Sequence, residues 1–462
     1  MNLFRLAMWN FKRSVREFGV LVLSLSFSVF IFFNFQNMVY SQAMDVLMEF
    51  RKDLIDSVLQ AASIVFAVFL FFFIWYAANV FLNQRKKEIG IYIFMGLDNK
   101  RISRMYALES VMVGLFSLIF GLISGVLFSK LFQMILLKLS EISVDVEFSF
   151  SFQPVLNTGG MFLIIYGFMI LKGCNTLRNS SVLNLLSGAR QKEIRQENKL
   201  VTALRILAGT AALILGYLAA LDTGGLQGLV RMVQAVVLVI VGVYLLYSGL
   251  IPAILRLLTR NKKFLYRKER TLWINNLAFR IKKNYRTYAM VTVLMICSVT
   301  LMALAIALKQ RYDRLANFDQ VYTEDSLNED SYIRVTYSLC LFMFVTLMLA
   351  AGSIIFLKID NEAHEDRERY EILEKIGISR KILGRAVGKE ICFAYYCPFL
   401  LMTVTSYFSV RALGQIMKEE LLQVNIWSAL FVLVLFTVIC AASIRGAKRK
   451  IFAQTSKREM TD

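Results

Sequence analysis

Residues 84–102 read QRKKEIGIYIFMGLDNKRI, a basic stretch set between apolar runs near residues 58–83 and 106–129. Ile89, Ile93 and Leu97 recur at helical spacing, so the stretch reads as a helix that lays one apolar side against its neighbours and turns its charges outward. Gly96 stands where a left-handed turn would end that helix, and Asp98 or Asn99 where the next helix needs a cap. The segment is then the bend of a helical hairpin whose two arms enter long apolar runs. About 20 apolar residues span a bilayer core, and backbone groups in lipid must pair within their own segment, so each arm reads as a membrane helix.

The same reading extends along the chain. Of 462 residues, 57% are hydrophobic and 19% charged, a balance that leaves too little polar surface for a soluble fold of this length and places the chain in the polytopic membrane class. Ten apolar runs stand out, near 18–40, 58–83, 106–129, 156–171, 206–221, 232–255, 287–308, 335–357, 390–410 and 425–444. The fold class is all-α, with about ten transmembrane helices; the three prolines, Pro154, Pro252 and Pro398, favour long uninterrupted helices. The first run follows a basic amphipathic segment without a small-residue cleavage signature, so it reads as a retained span.

Charge sets the expected orientation. The N-terminus and alternate inter-span segments hold 42 of the 53 Lys and Arg residues, which puts that side, and both termini, in the cytoplasm of a multi-pass cell-membrane protein. The basic total of +20 is thus distributed by insertion and by anionic lipid headgroups, with no nucleic-acid partner implied. The longest segment on the opposite side, 309–334, reads as a short extracellular loop, too poor in apolar residues to form a core of its own.

The bend has an echo. Residues 367–385, RERYEILEKIGISRKILGR, also join two spans on the basic side. Aligning Gly96 with Gly377, an offset of 281, pairs Lys100 with Lys381, Ile102 with Leu383, Arg104 with Arg385 and Glu109 with Glu390. A second echo, FKRSVREF at 11–18 and IKKNYRTY at 281–288, pairs Lys12 with Lys282, Arg13 with Lys283 and Arg16 with Arg286 just before a span. The expected organisation is two parallel four-span modules, 1–175 with an N-terminal elbow helix on the inner leaflet and 271–450, flanking a linker and span pair at 176–270, with a tail at 451–462.

Several chemistries are excluded. No phosphate-binding Gly-x-x-x-x-Gly-Lys-Ser/Thr occurs, and Gly121 and Gly125 lie in an apolar span where they serve close helix packing. The single histidine, His364, sits among charges, and the six cysteines lie in or beside apolar runs without a Cys-x-x-Cys pair, so metal and catalytic sites are not expected. The chain reads as a non-enzyme without a cofactor of its own. Glu109 and Glu390 stand about one turn inside the basic-side boundary, where pairing with an elbow-helix lysine or a role in transport are the alternatives.

RKKEIGIYIFMGLDNKRI followed by ALES resembles the FtsX-like permease signature, the membrane half of type VII (mechanotransmission) ABC transporters. Ten spans, two four-span modules around a pair, and the second motif RERYEILEKIGIS resemble the bacitracin- and lantibiotic-resistance (Bce-type) permeases of Gram-positive bacteria. The resemblance implies two ATPase subunits that bind ATP and Mg and dock beneath the two copies. It also implies action on peptide antibiotics held by lipid-linked wall precursors and, often, a sensor histidine kinase. It assigns coupling to the ATPase to Lys87, Glu88, Gly90, Gly96, Lys100 and Arg101, and to Glu371, Gly377, Arg380 and Lys381. The large extracellular domain usual between spans seven and eight is replaced here by 309–334. The alternative function is a non-transporting relay from an ATPase to a wall hydrolase or sensor kinase.

Overall fold

A computed structural model describes residues 3–40, 42–139, 151–179, 199–221, 225–260, 263, 270–318 and 324–452. The described residues form eleven helices and no strand: α1 Leu3–Val39, α2 Gln42–Phe94, α3 Asn99–Leu139, α4 Gln153–Arg178, α5 Lys199–Leu221, α6 Gly225–Arg260, α7 Arg270–Phe318, α8 Glu324–Glu365, α9 Arg367–Lys375, α10 Arg380–Met417 and α11 Leu422–Phe452. Nine of them hold a stretch long and apolar enough to cross a membrane, and a shorter apolar stretch, Phe66–Leu82, lies within α2. These ten coincide with the ten apolar runs. The prolines obey the helical reading: Pro252 and Pro398 sit inside α6 and α10, and Pro154 occupies the first turn of α4, where a missing N–H costs nothing.

The chain separates into two compact units, Met1–Glu193 with Tyr312–Leu339, and Ile194–Arg311 with Cys340–Asp462. In the first unit α3 packs closely on α1 through glycine. A Cβ at Gly121 would lie 2.6 Å from Val29 Cβ and 2.7 Å from the Ser26 carbonyl oxygen, and one at Gly125 would lie 2.5 Å from the Phe33 ring. Helices in lipid gain from this close approach because no water is expelled to drive them together. Gly121→Leu is therefore expected to force α1 and α3 apart at about 1–3 kcal/mol, read as a lower melting temperature of the purified protein in detergent. Retention of the wild-type melting temperature would show that the glycine contact is dispensable.

Two local expectations need correction. The segment 309–334 is largely helix, since α7 continues to Phe318 and α8 begins at Glu324. Once a span has nucleated a helix, Leu, Ala, Arg and Glu propagate it cheaply into water, and polarity alone marks no helix end. Likewise the N-terminal basic segment is continuous with the first span in α1. Its counterpart in α7 is set off by a kink at Asn284, with φ −121° and ψ 20°.

Helix length carries the spans into the bends. At 53 residues, α2 extends about 80 Å, against a hydrocarbon core of about 30 Å. One continuous helix therefore joins the apolar stretch Phe66–Leu82 to the bend at Gly96.

Candidate functional site

The two bends, 84–102 and 367–385, are elbows distinct from the amphipathic elbow helix, and each ends its incoming helix in the same way. Gly96 has φ +93° and Gly377 has φ +100°, the left-handed region that only glycine enters without penalty. In the first elbow the Gly96 N–H donates to the Ile93 carbonyl at 2.9 Å and the Leu97 N–H to that of Tyr92 at 3.1 Å. In the second, Gly377 donates to Glu374 at 3.0 Å and Ile378 to Leu373 at 3.2 Å. The outgoing helices start alike, with Arg101 and Ile102 donating to the Asp98 carbonyl and Ile382 and Leu383 to that of Ser379. The four bonds of one elbow match the four of the other at the offset of 281, so the sequence echo is a backbone motif repeated bond for bond.

No side-chain cap is made by Ser379, whose backbone is extended but whose hydroxyl leaves the helix N-terminus to water. Asn99 instead donates to the Arg178 carbonyl at the end of α4, at 3.4 Å. A Cβ added at either elbow glycine meets nothing within 4 Å, so substitution there is penalised by conformation alone. Gly96→Val is expected to cost about 1–2 kcal/mol and to deprotect the Leu97 amide in hydrogen exchange, while Gly96→Asn keeps most of the protection. Equal protection in the two variants would contradict the turn's role.

The elbows present matched surfaces. Ile89 is buried and Ile93 and Leu97 are half-buried, as their spacing requires. The outward side is more apolar than charge counting implied: Met95 is 74% exposed and Ile376, its counterpart, 72%, while Ile91 and Ile372 are 47% and 57% exposed. Lys100 and Lys381 flank them, both exposed, as do Arg104 and Arg385. Position 94 differs, with exposed Phe94 in one copy and exposed Lys375 in the other.

The other residues to which the resemblance assigns coupling are placed unevenly. Glu88 is paired with Arg85 in its own helix, Glu371 with Lys375 at 3.0 Å, and Arg380 with Glu374. Gly90 is buried within α2, and Arg101 is exposed at the start of α3. The side chain of Lys87 lies outside the described residues.

Behind the elbows stand the two carboxylates, each 3% exposed. Glu109 receives Arg85 Nη2 at 2.7 Å. Glu390 accepts both Nδ2 contacts of Asn276 at 2.8 Å and lies 3.1 Å from Arg280 Nη1. Arg280 also reaches Glu362 at 3.2 Å and Asp366. Lys358 lies 3.2 Å from Glu362 and 3.6 Å from the centre of the Tyr288 ring. Asn284 donates to Glu362 at 3.0 Å, and Arg369 to the Asn276 side-chain oxygen.

Three cations, Arg280, Lys358 and Arg369, thus balance three anions, Glu362, Asp366 and Glu390. Burial disfavours the Arg280 charge, but Glu362 and Glu390 more than offset this and hold its pKa above the ordinary value. Burial raises the Tyr370 pKa, helped by Glu390, so Tyr370 stays a neutral donor to that carboxylate at 3.5 Å. The adjoining cavity, lined by Arg280, Tyr370 and Glu390, holds about 10 Å³, room for one water and for no substrate-sized ligand.

Sequence spacing located both carboxylates but not their partners. Pairing with an elbow-helix lysine was one alternative for each; the structure supplies Arg85 from α2 for Glu109, and Arg280 with Asn276 from the start of α7 for Glu390. Asn276, Arg280 and Asn284 stand at i, i+4 and i+8, a polar stripe that would have marked the second set.

Comparison with known proteins agrees with this architecture. Residues 61–182, which include the first elbow and Glu109, match the family described as FtsX-like permease C-terminal. The chain is 26% identical over 295 residues to the uncharacterized ABC transporter permease YvcS of Bacillus subtilis (strain 168), covering 64% of this chain and 45% of the relative. It is 27% identical over 314 residues to the bacitracin export permease protein BceB of the same organism, covering 66% and 48%. The ABC transporter permease protein YxdM, also from that organism, is 28% identical over 294 residues, covering 64% and 46%. The chain spans about half the length of the curated relatives it matches. It is a helical membrane protein with an FtsX-like permease region, similar to ABC transporter permeases of Bacillus.

Proposed function

We propose that this chain is the membrane-spanning permease subunit of a type VII ABC transporter, and that its two elbows receive the motion of two ATPase subunits in the cytoplasm. The observation that carries the reading is the repeated elbow, identical in its turn hydrogen bonds and matched in its exposed apolar residues. A plain connector between spans has no need of an exposed isoleucine or methionine in water, twice, at the same register. Two like surfaces fit two like partners. ATP and Mg are held by those partners, because the sequence carries no phosphate-binding loop.

The cargo follows from likeness to the bacitracin export permease: a membrane-bound peptide antibiotic, freed from a lipid-linked wall precursor, with a sensor histidine kinase as a further partner. Excess positive charge on the elbow side supports cytoplasmic termini, and likeness to permeases of Bacillus supports a Gram-positive cell. The test is resistance in a host expressing the chain with the ATPase that co-purifies with it. Protection against bacitracin should require both proteins and intact ATP hydrolysis. Full protection by the chain without any ATPase would sink the reading.

A further inference from the structure

The first fifteen residues of α7 devote one side to a single ionic contact set. Asn276, Arg280 and Asn284, one helical turn apart, all bind carboxylates of α8 and α10 or the α8–α9 junction between them. The carboxylates that Arg280 holds flank the second elbow in sequence: Glu362 and Asp366 precede Gly377 and Glu390 follows it. A second tie runs from Arg369 of α9 to the Asn276 oxygen. The elbow hairpin, α9 with the start of α10, therefore cannot shift without dragging these groups or breaking buried ion pairs, which costs several kcal/mol.

In the first copy the described ion pairs of Arg85, with Glu88 and Glu109, join α2 to itself and to α3. The offset of 281 puts Arg85 opposite Asp366, and the offset of 270 puts Asn10 opposite Arg280. The carboxylate position is kept between copies, while its cation comes from the hairpin in one and from the preceding amphipathic segment in the other.

We propose that Arg280 is a positioning residue that makes the segment 270–283 move with the second elbow, so that the second copy passes ATPase motion into the amphipathic segment ahead of its first span. This rests on the reading that the elbows receive that motion. The segment is then a lever held by protein contacts in addition to its place at the lipid surface.

Hydrogen exchange on the full chain, in lipid nanodiscs with its co-purified ATPase, tests this by comparing the nucleotide-free state with ATP plus vanadate. In the unmodified complex, exchange is expected to change at 373–383 and at 270–283 together, by about threefold or more. Arg280→Asn, Asn276→Leu and Asp366→Arg together give Glu390 a cation from its own hairpin, as Arg85 gives Glu109, and cut the ties that Arg280 and Asn276 make to the second elbow. That variant is expected to keep the response at 373–383 and lose it at 270–283.

A response retained at 270–283 in the triple variant overturns the proposal. So does a response confined to 373–383 in the unmodified complex, which leaves the docking reading standing and settles the matter if the variant fails to fold. No response in either segment overturns both the docking reading and the proposal built on it.

Discussion

Arg280→Ala is expected to destabilise the second unit by about 3–5 kcal/mol, the largest effect of any single substitution in the chain. The guanidinium is the shared partner of Glu362, Asp366 and Glu390, whose side chains are 10%, 18% and 3% exposed. Removing it leaves three carboxylates with, among the described residues, Lys358 and Arg369 as the nearby cations, and Lys358 pairs with the first of them. The cost is the desolvation of charges already buried, which exceeds what the pairs contribute over an apolar packing of the same volume. Thermal unfolding of the purified protein should show a drop on the order of 10 °C. Arg85→Ala should fall less, because it strands one buried carboxylate, Glu109, while Glu88 is 46% exposed and remains solvated. Equal melting of the two variants would mean that the second cluster is no more than a second copy of the first.

Met95→Asp together with Ile376→Asp is expected to abolish association with the ATPase while leaving the permease folded. Both side chains are about three-quarters exposed, so nothing within the chain depends on them. Burying one apolar side chain of this size in a partner contributes about 1.5–3 kcal/mol, and an aspartate in the same hole adds a buried carboxylate. Each substitution should then weaken binding by at least about tenfold and the pair by about 100-fold or more, read as loss of co-purified ATPase. Single variants should be intermediate and similar to each other, since the two surfaces match. If one single variant matched the double and the other matched wild type, the elbows would not be equivalent docking points. The exchange response described for 373–383 would vanish in the double variant as well.

The sequence disclosed what periodicity encodes. Ten apolar runs appear as ten membrane-length helical stretches, the spacing of Ile89, Ile93 and Leu97 fixed the inward side of the first elbow, and Gly96 and Gly377 carry the left-handed turns expected of them. Close packing at Gly121 and Gly125 was legible because small residues four apart in an apolar span have one common use.

What escaped were contacts made across long separations. Arg280 and Glu390 lie 110 residues apart, and no local pattern links them; only the unusual Asn276, Arg280, Asn284 stripe pointed to a buried polar surface. The exposed apolar residues of the elbows were missed for another reason. Charge counting treats a basic segment as a solvated face, although Ile91, Met95 and Phe94 stand outward among the charges. The helical extension through 309–318 and 324–334 was not legible from polarity, because a helix already nucleated in lipid continues into water until a glycine, a proline or a cap stops it.

The most direct measurement places a photo-reactive benzophenone amino acid at position 95 or at position 376 of the full chain and irradiates the complex in membranes with its ATPase. Both positions should cross-link to the ATPase, at the same surface of each of its two copies. Labelling of the ATPase from neither position, or from one position alone, would contradict the pairing of the two elbows as its docking points.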